Sequence, residues 1–256
     1  MYKQLLLIVL SVCFLQSKSA QSANIVFDEG HKQAFLYQQQ GQLGLSGFAD
    51  TLVAADNQVS ASSDVIHPRA LAKVDALIIS GPFQAFSLQE RQVLADYVKS
   101  GGKLVIMIHI APTVGGLLAE FDIGVSNYSI NEHQAMLANK PKDFSVSRLV
   151  PHWLFNNVQH FNLYGGWALQ TKDKSASALA ITSADAWLDL NKNKQQDGGD
   201  YQSTFAVIIH KKIGKGDVLV FADDAIFQNK FLTGNNQQMA VNIANWLAKT
   251  KPANSI

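Results

Sequence analysis

The sequence predicts an α/β chain built on a mainly parallel sheet. Three observations carry that prediction. Two continuous apolar runs, VDALIISGP (residues 74–82) and KLVIMIHI (residues 103–110), read as strands buried on both faces. Between them SLQERQVLADYVKSGG (residues 87–102) is a well-punctuated helix: Ser87 is the N-cap, Glu90 completes a capping box and Gly101 ends it. The strand–helix alternation calls for parallel pairing with right-handed crossovers.

The chain opens with an export signal. Lys3 provides a positive start, LLLIVLSVCFL an apolar stretch, and QSKSAQSA the small residues of a cleavage region, so residues 1–22 are expected to be removed. The apolar stretch is shorter than the roughly 20 residues of a membrane span, and no span is expected in the mature chain. Cys13 is the sole cysteine and lies inside this segment; the mature protein then has no disulfide, thiolate metal site or cysteine nucleophile. Losing Lys3 and Lys18 leaves 19 basic against 20 acidic residues. No basic stripe exists, which argues against nucleic acid as a partner. Export places the protein in the periplasm if the source is bacterial.

The elements follow in order within one domain, residues 23–250. ANIVFD is the first strand. GQLGLSGFADTLVAAD carries Leu43, Leu45, Phe48, Leu52 and Val53 at helical spacing, and QVSASSD is a second strand. In the helix at 87–102, Leu88, Val93, Leu94, Tyr97 and Val98 form the expected apolar face. PTVGGLLAEFDIGV is a short helix running into an irregular β-rich insertion, residues 126–204, with ASALAITS as one strand. STFAVIIHKKIGKGDVLVFAD reads as a hairpin turning at Gly214-Lys215-Gly216, and NNQQMAVNIANWLAKT as the closing helix. Residues 251–256 are a tail.

Ligand sites in parallel sheets lie beyond the carboxyl ends of the strands. Asp28, Glu29 and His31 follow the first strand, Gly81-Pro82 the third, and His109 the next; these groups are expected to share one crevice. A carboxylate beside an imidazole fixes its tautomer and raises its basicity, which suits binding or proton transfer. The alternative is that Asp28 caps its loop and His31 bonds to backbone. Gln33 can add an amide, and Phe35 is expected in the core. Asp223-Asp224, with Asn229 shortly after, follow the strand VLVFA and either face His31 or act locally, one Asp capping AIFQNKFL and the other solvated. Asn235 and Asn236 are expected as helix caps.

DLNKNKQQDGGD places Asp189, Asn191, Asn193, Asp197 and Asp200 at positions 1, 3, 5, 9 and 12 of a calcium loop. Lys194 stands where such loops carry glycine, and Asp200 is shorter than the usual bidentate Glu. Ca2+ is the one cofactor the sequence suggests; a plain Asn/Asp/Gly-rich hairpin is the alternative. Trp153, Phe155, Phe161, Tyr164 and Trp167 are expected to pack the insertion onto the sheet rather than to stack on sugar. His133, His152 and His160 lack metal-ligand spacing.

Three stretches, FDEGHKQAF, ALIISGPFQAFSLQERQVLADYVKSGGKLVIMI and GKGDVLVFADDAIFQNKFLTGNNQQMAVNIANWL, resemble the DUF4350 family of the class I glutamine-amidotransferase-like superfamily, related to gliding-motility and intraflagellar-transport type domains. The resemblance spans most of residues 24–249 and is weakest over 126–175. It implies a flavodoxin-like three-layer sandwich. It does not carry an activity, because the turn after KLVIMI reads His109-Ile110-Ala111-Pro112-Thr113 and holds no cysteine. The expected function is an exported, non-catalytic binding module with a degenerate amidotransferase-like crevice, serving an envelope or transport-associated system through a protein or glycan partner. The alternatives are a hydrolase using Asp28 and His31 with water or a metal, and a calcium-stiffened structural protein.

Overall fold

The computed structural model describes residues 22–248. The export signal expected over 1–22, Ser22 excepted, and the tail at 251–256 lie outside the described residues. Five parallel strands form the centre: β1 (Asn24–Asp28), β2 (Gln58–Ser62), β3 (Ala76–Ser80), β4 (Lys103–Met107) and, late in the chain, β15 (Gly216–Phe221). They lie in the order β2-β1-β3-β4-β15. β3 is buried at every residue and β4 at all but the first, as continuous apolar runs require.

The helices are α1 (Ser46–Val53), α2 (Pro68–Leu71), α3 (Leu88–Lys99), α4 (Ala111–Ala119) and α5 (Gly234–Ala248). Strand order reverses direction between β1 and β3. With right-handed crossovers this puts α1 on one face of the sheet and α3 on the other. α5 packs beside α1, and the short α2 beside α3. α3 carries the full capping box: the Ser87 hydroxyl accepts from Glu90 N, and the Glu90 carboxylate accepts from Ser87 N. Leu88, expected on its apolar face, is 58% exposed; it is the first helical residue and points off the end of the core-facing stripe.

The remainder is richer in strands than the sequence suggested. β5 (Ile123–Asn131) is a nine-residue strand where an irregular segment was expected. Beyond it come β6 (Met136–Leu137), β7 (Lys140–Val146), β8 (Arg148–Leu149), β9 (Phe161–Tyr164), β10 (Trp167–Thr171), β11 (Ala176–Ile181), β12 (Trp187–Leu188), β13 (Tyr201–Gln202) and β14 (Ala206–Ile213). β14 joins β15 as the expected hairpin, with Gly214 at φ +59 in the turn. β10, β5 and β12 then extend the central sheet with antiparallel pairings, and β6, β7 and β9 form a separate small sheet. The aromatic residues pack this region inward: Trp153 stacks on Trp246 of α5 at 4.8 Å, and Tyr164 on Phe231 at 3.9 Å. Among the described residues no helix is long and apolar enough to cross a membrane.

Candidate functional site

β1, β3, β4 and β15 bring His31, Gly81, His109 and the Asp223-Asp224 pair to one edge of the sheet. The two histidines sit there in opposite circumstances. His31 is 2% exposed. Its Nδ1 lies 2.8 Å from Asp28 Oδ2, and its Nε2 lies 3.2 Å from Glu90 Oε1. Its ring lies against Phe86, with centroids 3.9 Å apart. Gln33 donates to Asp28 at 2.6 Å, and Glu90 also accepts from Ile66 N. Burial disfavours the imidazolium, but the hydrogen bond and charge of Asp28, joined by Glu90, outweigh it and raise the pKa. His31 therefore has no free nitrogen. It ties the end of β1 to the start of α3.

His109 has one nitrogen engaged and one open. Nδ1 lies 3.0 Å from Asp224 Oδ1; the His109 side chain is 38% exposed and that of Asp224 only 1%. No hydrogen bond to Nε2 is found among the described residues. The hydrogen bond that His109 donates to Asp224 raises its pKa against the effect of burial. The ring lies between two phenyl rings, Phe35 edge-on at 5.0 Å and Phe83 tilted at 5.2 Å. Phe35 is thus half-buried beside the imidazole, not a core residue alone. Trp167 Nε1 donates to the His109 carbonyl at 3.1 Å and holds the turn.

Gly81 makes this pairing fit. It takes φ +55, and a Cβ there would stand 2.5 Å from Asp224 Oδ2 and 3.0 Å from His109 Cβ. Asp224 Oδ2 is buried without a hydrogen-bond partner. Asp223 is buried as well, accepting from Tyr164 N at 2.6 Å and Ala225 N at 2.9 Å. Its burial, then the neighbouring Asp224, raise its pKa well above the usual carboxylate range. The N-cap of the short helical turn Ala225–Phe227 is Asp224, whose side chain makes no cap bond; Asp223, one residue earlier, bonds Ala225 N instead, and neither aspartate is solvated. Asp223 is held against Tyr164 of β9, and Asp224 against His109 and Gly81 beyond the ends of β4 and β3.

The other candidates have local roles. Glu29 accepts from Tyr37 N. The Pro82 carbonyl accepts from the Thr113 hydroxyl at 2.7 Å. Asn229 accepts from Gly47 N and donates to the Gln39 and Gly41 carbonyls, clamping the loop before α1. Asn236 is not a cap: it is buried within α5 and bonds both backbone groups of Asn162. Asn235 also lies inside α5, with its side chain near His160.

The loop at 189–200 is exposed and internally bonded. Asp189 accepts from Asn193 N and Lys194 N, Asp197 from the side-chain amides of Asn191 and Asn193, and Asp200 from Leu190 N and Asp197 N. Lys192 and Lys194 take φ 63 and 65, so Lys194 adopts the left-handed backbone glycine would supply. Among the described residues no group of three or more His, Cys, Asp or Glu side chains is placed to hold a metal ion.

Two features went unread in the sequence. Glu90 serves His31 as well as its own helix. At the opposite end of the sheet, Asp217 accepts from His210 Nε2 at 2.9 Å, and His210 Nδ1 lies 3.2 Å from His152 Nε2. His152 Nδ1 accepts from Leu154 N, so each proton in this chain has one place. Burial first, then the neighbouring His210, lowers the His152 pKa to about 4. The signals were present: an Asp near the start of one hairpin strand and, two positions from its cross-strand partner Lys212, a His on the same face of the other.

Solved structures share this fold. The chain aligns with a structure titled mmIFT52 N-terminal domain at TM-score 0.71 and 20% identity, over 89% of this chain and 99% of that one. It aligns with a cytoplasmic protein from Salmonella typhimurium LT2 at 0.56 and 16%, over 90% and 100%. A putative ThuA-like protein from Bacteroides uniformis ATCC 8492 aligns at 0.51 and 13%, over 91% and 94%. These likenesses show a shared α/β fold. No protein-family model matches the chain, and no curated protein matches it.

Proposed function

We propose that this chain is an exported, non-catalytic binding module of the DUF4350 type, acting for an envelope or transport-associated system. The observation that carries the reading is His109: a half-exposed imidazole, fixed by the buried Asp224 and flanked by Phe35 and Phe83, with Nε2 open to a ligand. The turn that holds the nucleophile in amidotransferases supplies only Thr113. Its hydroxyl lies 2.7 Å from both the Pro82 and Ile110 carbonyls, inside the first turn of α4. Activation of water or a metal by Asp28 and His31 needs a free ring nitrogen, and both of His31's are engaged. The likeness to an N-terminal domain of a larger protein, IFT52, favours protein interaction. The loop at 189–200 keeps two readings, a plain Asn/Asp/Gly-rich hairpin held by its own hydrogen bonds and a structural Ca2+ loop that stiffens its flanks.

The test is a panel of chromogenic ester, amide, phosphate and glycoside substrates, run on the wild type and on His109→Gln. The reading expects no turnover above background in either. Turnover by the wild type that falls a hundredfold in His109→Gln would establish catalysis instead. Fractionation of the producing cell tests export.

A further inference from the structure

Resting on the reading of this edge as a binding site, we propose that its occupant is an apolar polypeptide segment of a partner protein, seated on an apolar collar that runs along this end of the sheet from His31 to His109, and pairing a backbone peptide unit with His109 Nε2. Nine large apolar residues are strongly exposed among the described residues, and five of them lie beyond the carboxyl ends of β1, β2 and β3: Leu36, Leu43, Val65 and Phe83 in the loops, and Leu88 as the first residue of α3. Exposed apolar side chains gathered at one end of a molecule mark an interaction surface. These loops are tied to one another and to the site. Phe83 N donates to the His31 carbonyl, Ile66 N beside Val65 reaches Glu90, and Glu90 closes the capping box next to Leu88. The collar is therefore a fixed surface.

Geometry and hydrogen bonding select the occupant. His109 Nδ1 faces Asp224 Oδ1, so Nε2 is the nitrogen left for an occupant. A backbone peptide unit carries a C=O acceptor beside an N–H donor, so it pairs with Nε2 in either protonation state of the ring. It is also neutral, which suits a site with the buried Asp223 and Asp224 behind the ring. The rim is aliphatic apart from Phe83, which suits apolar side chains better than sugar rings, whose stacking needs aromatic faces. Buried apolar anchors around one oriented hydrogen bond are the usual energetic centre of a protein interface.

The experiment pans a phage-displayed random peptide library against the full chain and titrates the enriched synthetic peptides by fluorescence anisotropy. Wild type is compared with Leu88→Ser, Val65→Ser and His109→Gln, each checked by thermal melting. The proposal expects enriched peptides with two or more apolar residues, bound about tenfold more weakly by each variant; tenfold corresponds to about 1.4 kcal/mol. Peptides bound equally well by all variants would overturn the placement at His109 while leaving a binding module. A soluble glycan from a parallel panel, bound at this face when no peptide is, would overturn the occupant alone. Sedimentation showing a dimer that Leu88→Ser dissolves would assign the collar to a second copy and overturn it too. A chain that binds neither peptide nor glycan and stays monomeric would overturn both this proposal and the binding reading.

Discussion

His31 and His109 each follow a buried parallel strand, and each gives Nδ1 to an aspartate at 2.8–3.0 Å. They differ at the other nitrogen. In His31 it meets Glu90 and the ring is sealed; in His109 it is open and the ring is half-exposed. The same residue pair thus serves as a clasp in one place and as a presented group in the other. What decides between them is the element above the ring. The capping-box glutamate of α3 closes over His31, whereas only two phenyl rings flank His109.

Substitution breaks this contrast most strongly at the sealed site. His31→Ala strands two buried carboxylates, Asp28 and Glu90, and is expected to cost about 3–5 kcal/mol in urea unfolding. His109→Ala is expected to cost about 1–2 kcal/mol, because water enters the gap and solvates Asp224. Equal losses would erase the distinction. Gly81→Ala should fall between them at about 2–3 kcal/mol, from the left-handed backbone and the clash with Asp224. In histidine NMR spectra it should shift His109 while leaving His31 in place.

Titration sharpens the contrast further. The folded pKa of His31 is raised, so its stabilisation is complete below the unfolded value of about 6.5 and fades as pH rises through the folded value. Glu90 is lowered through its Ser87 bonds and His31, against burial, so its share fades as pH falls below the usual glutamate range. The His152 relay runs opposite to His31. With its folded pKa lowered to about 4, stability is lost as pH falls from about 6.5 through 4. Discounted for solvent screening, that loss is about 1–2 kcal/mol. It should be absent in His152→Gln, measured by melting across the same pH range.

The smallest expected effect is at the 189–200 loop. On the Ca2+ reading, millimolar Ca2+ raises the melting temperature by roughly 2–4 °C, about 1 kcal/mol of linkage, and a chelator reverses it; on the plain-hairpin reading neither moves it. The same rise in an Asp189→Ala, Asp197→Ala double variant would place the ion elsewhere.

The strands and caps were legible because they are local. Continuous apolar runs gave β3 and β4, and four residues gave the Ser87–Glu90 box. The gathering of His31, Gly81 and His109 at one edge followed from parallel strands alone. Their chemistry was not legible, because the partners are distant in sequence. Glu90 lies 59 residues from His31, and Asp224 lies 115 from His109. Those pairings depend on strand order, and no local pattern places β15 beside β4. The solvated aspartate failed for the same reason, since strands distant in the chain bury it.

The most direct test is chemical. Diethyl pyrocarbonate acylates an accessible neutral imidazole, so the folded chain is treated at mildly alkaline pH and its peptides are mapped by mass spectrometry. Rapid modification of His109, with His31 protected until the protein is unfolded, is the expected result. His31 modified as fast as His109, or His109 protected in the folded chain, would contradict the account.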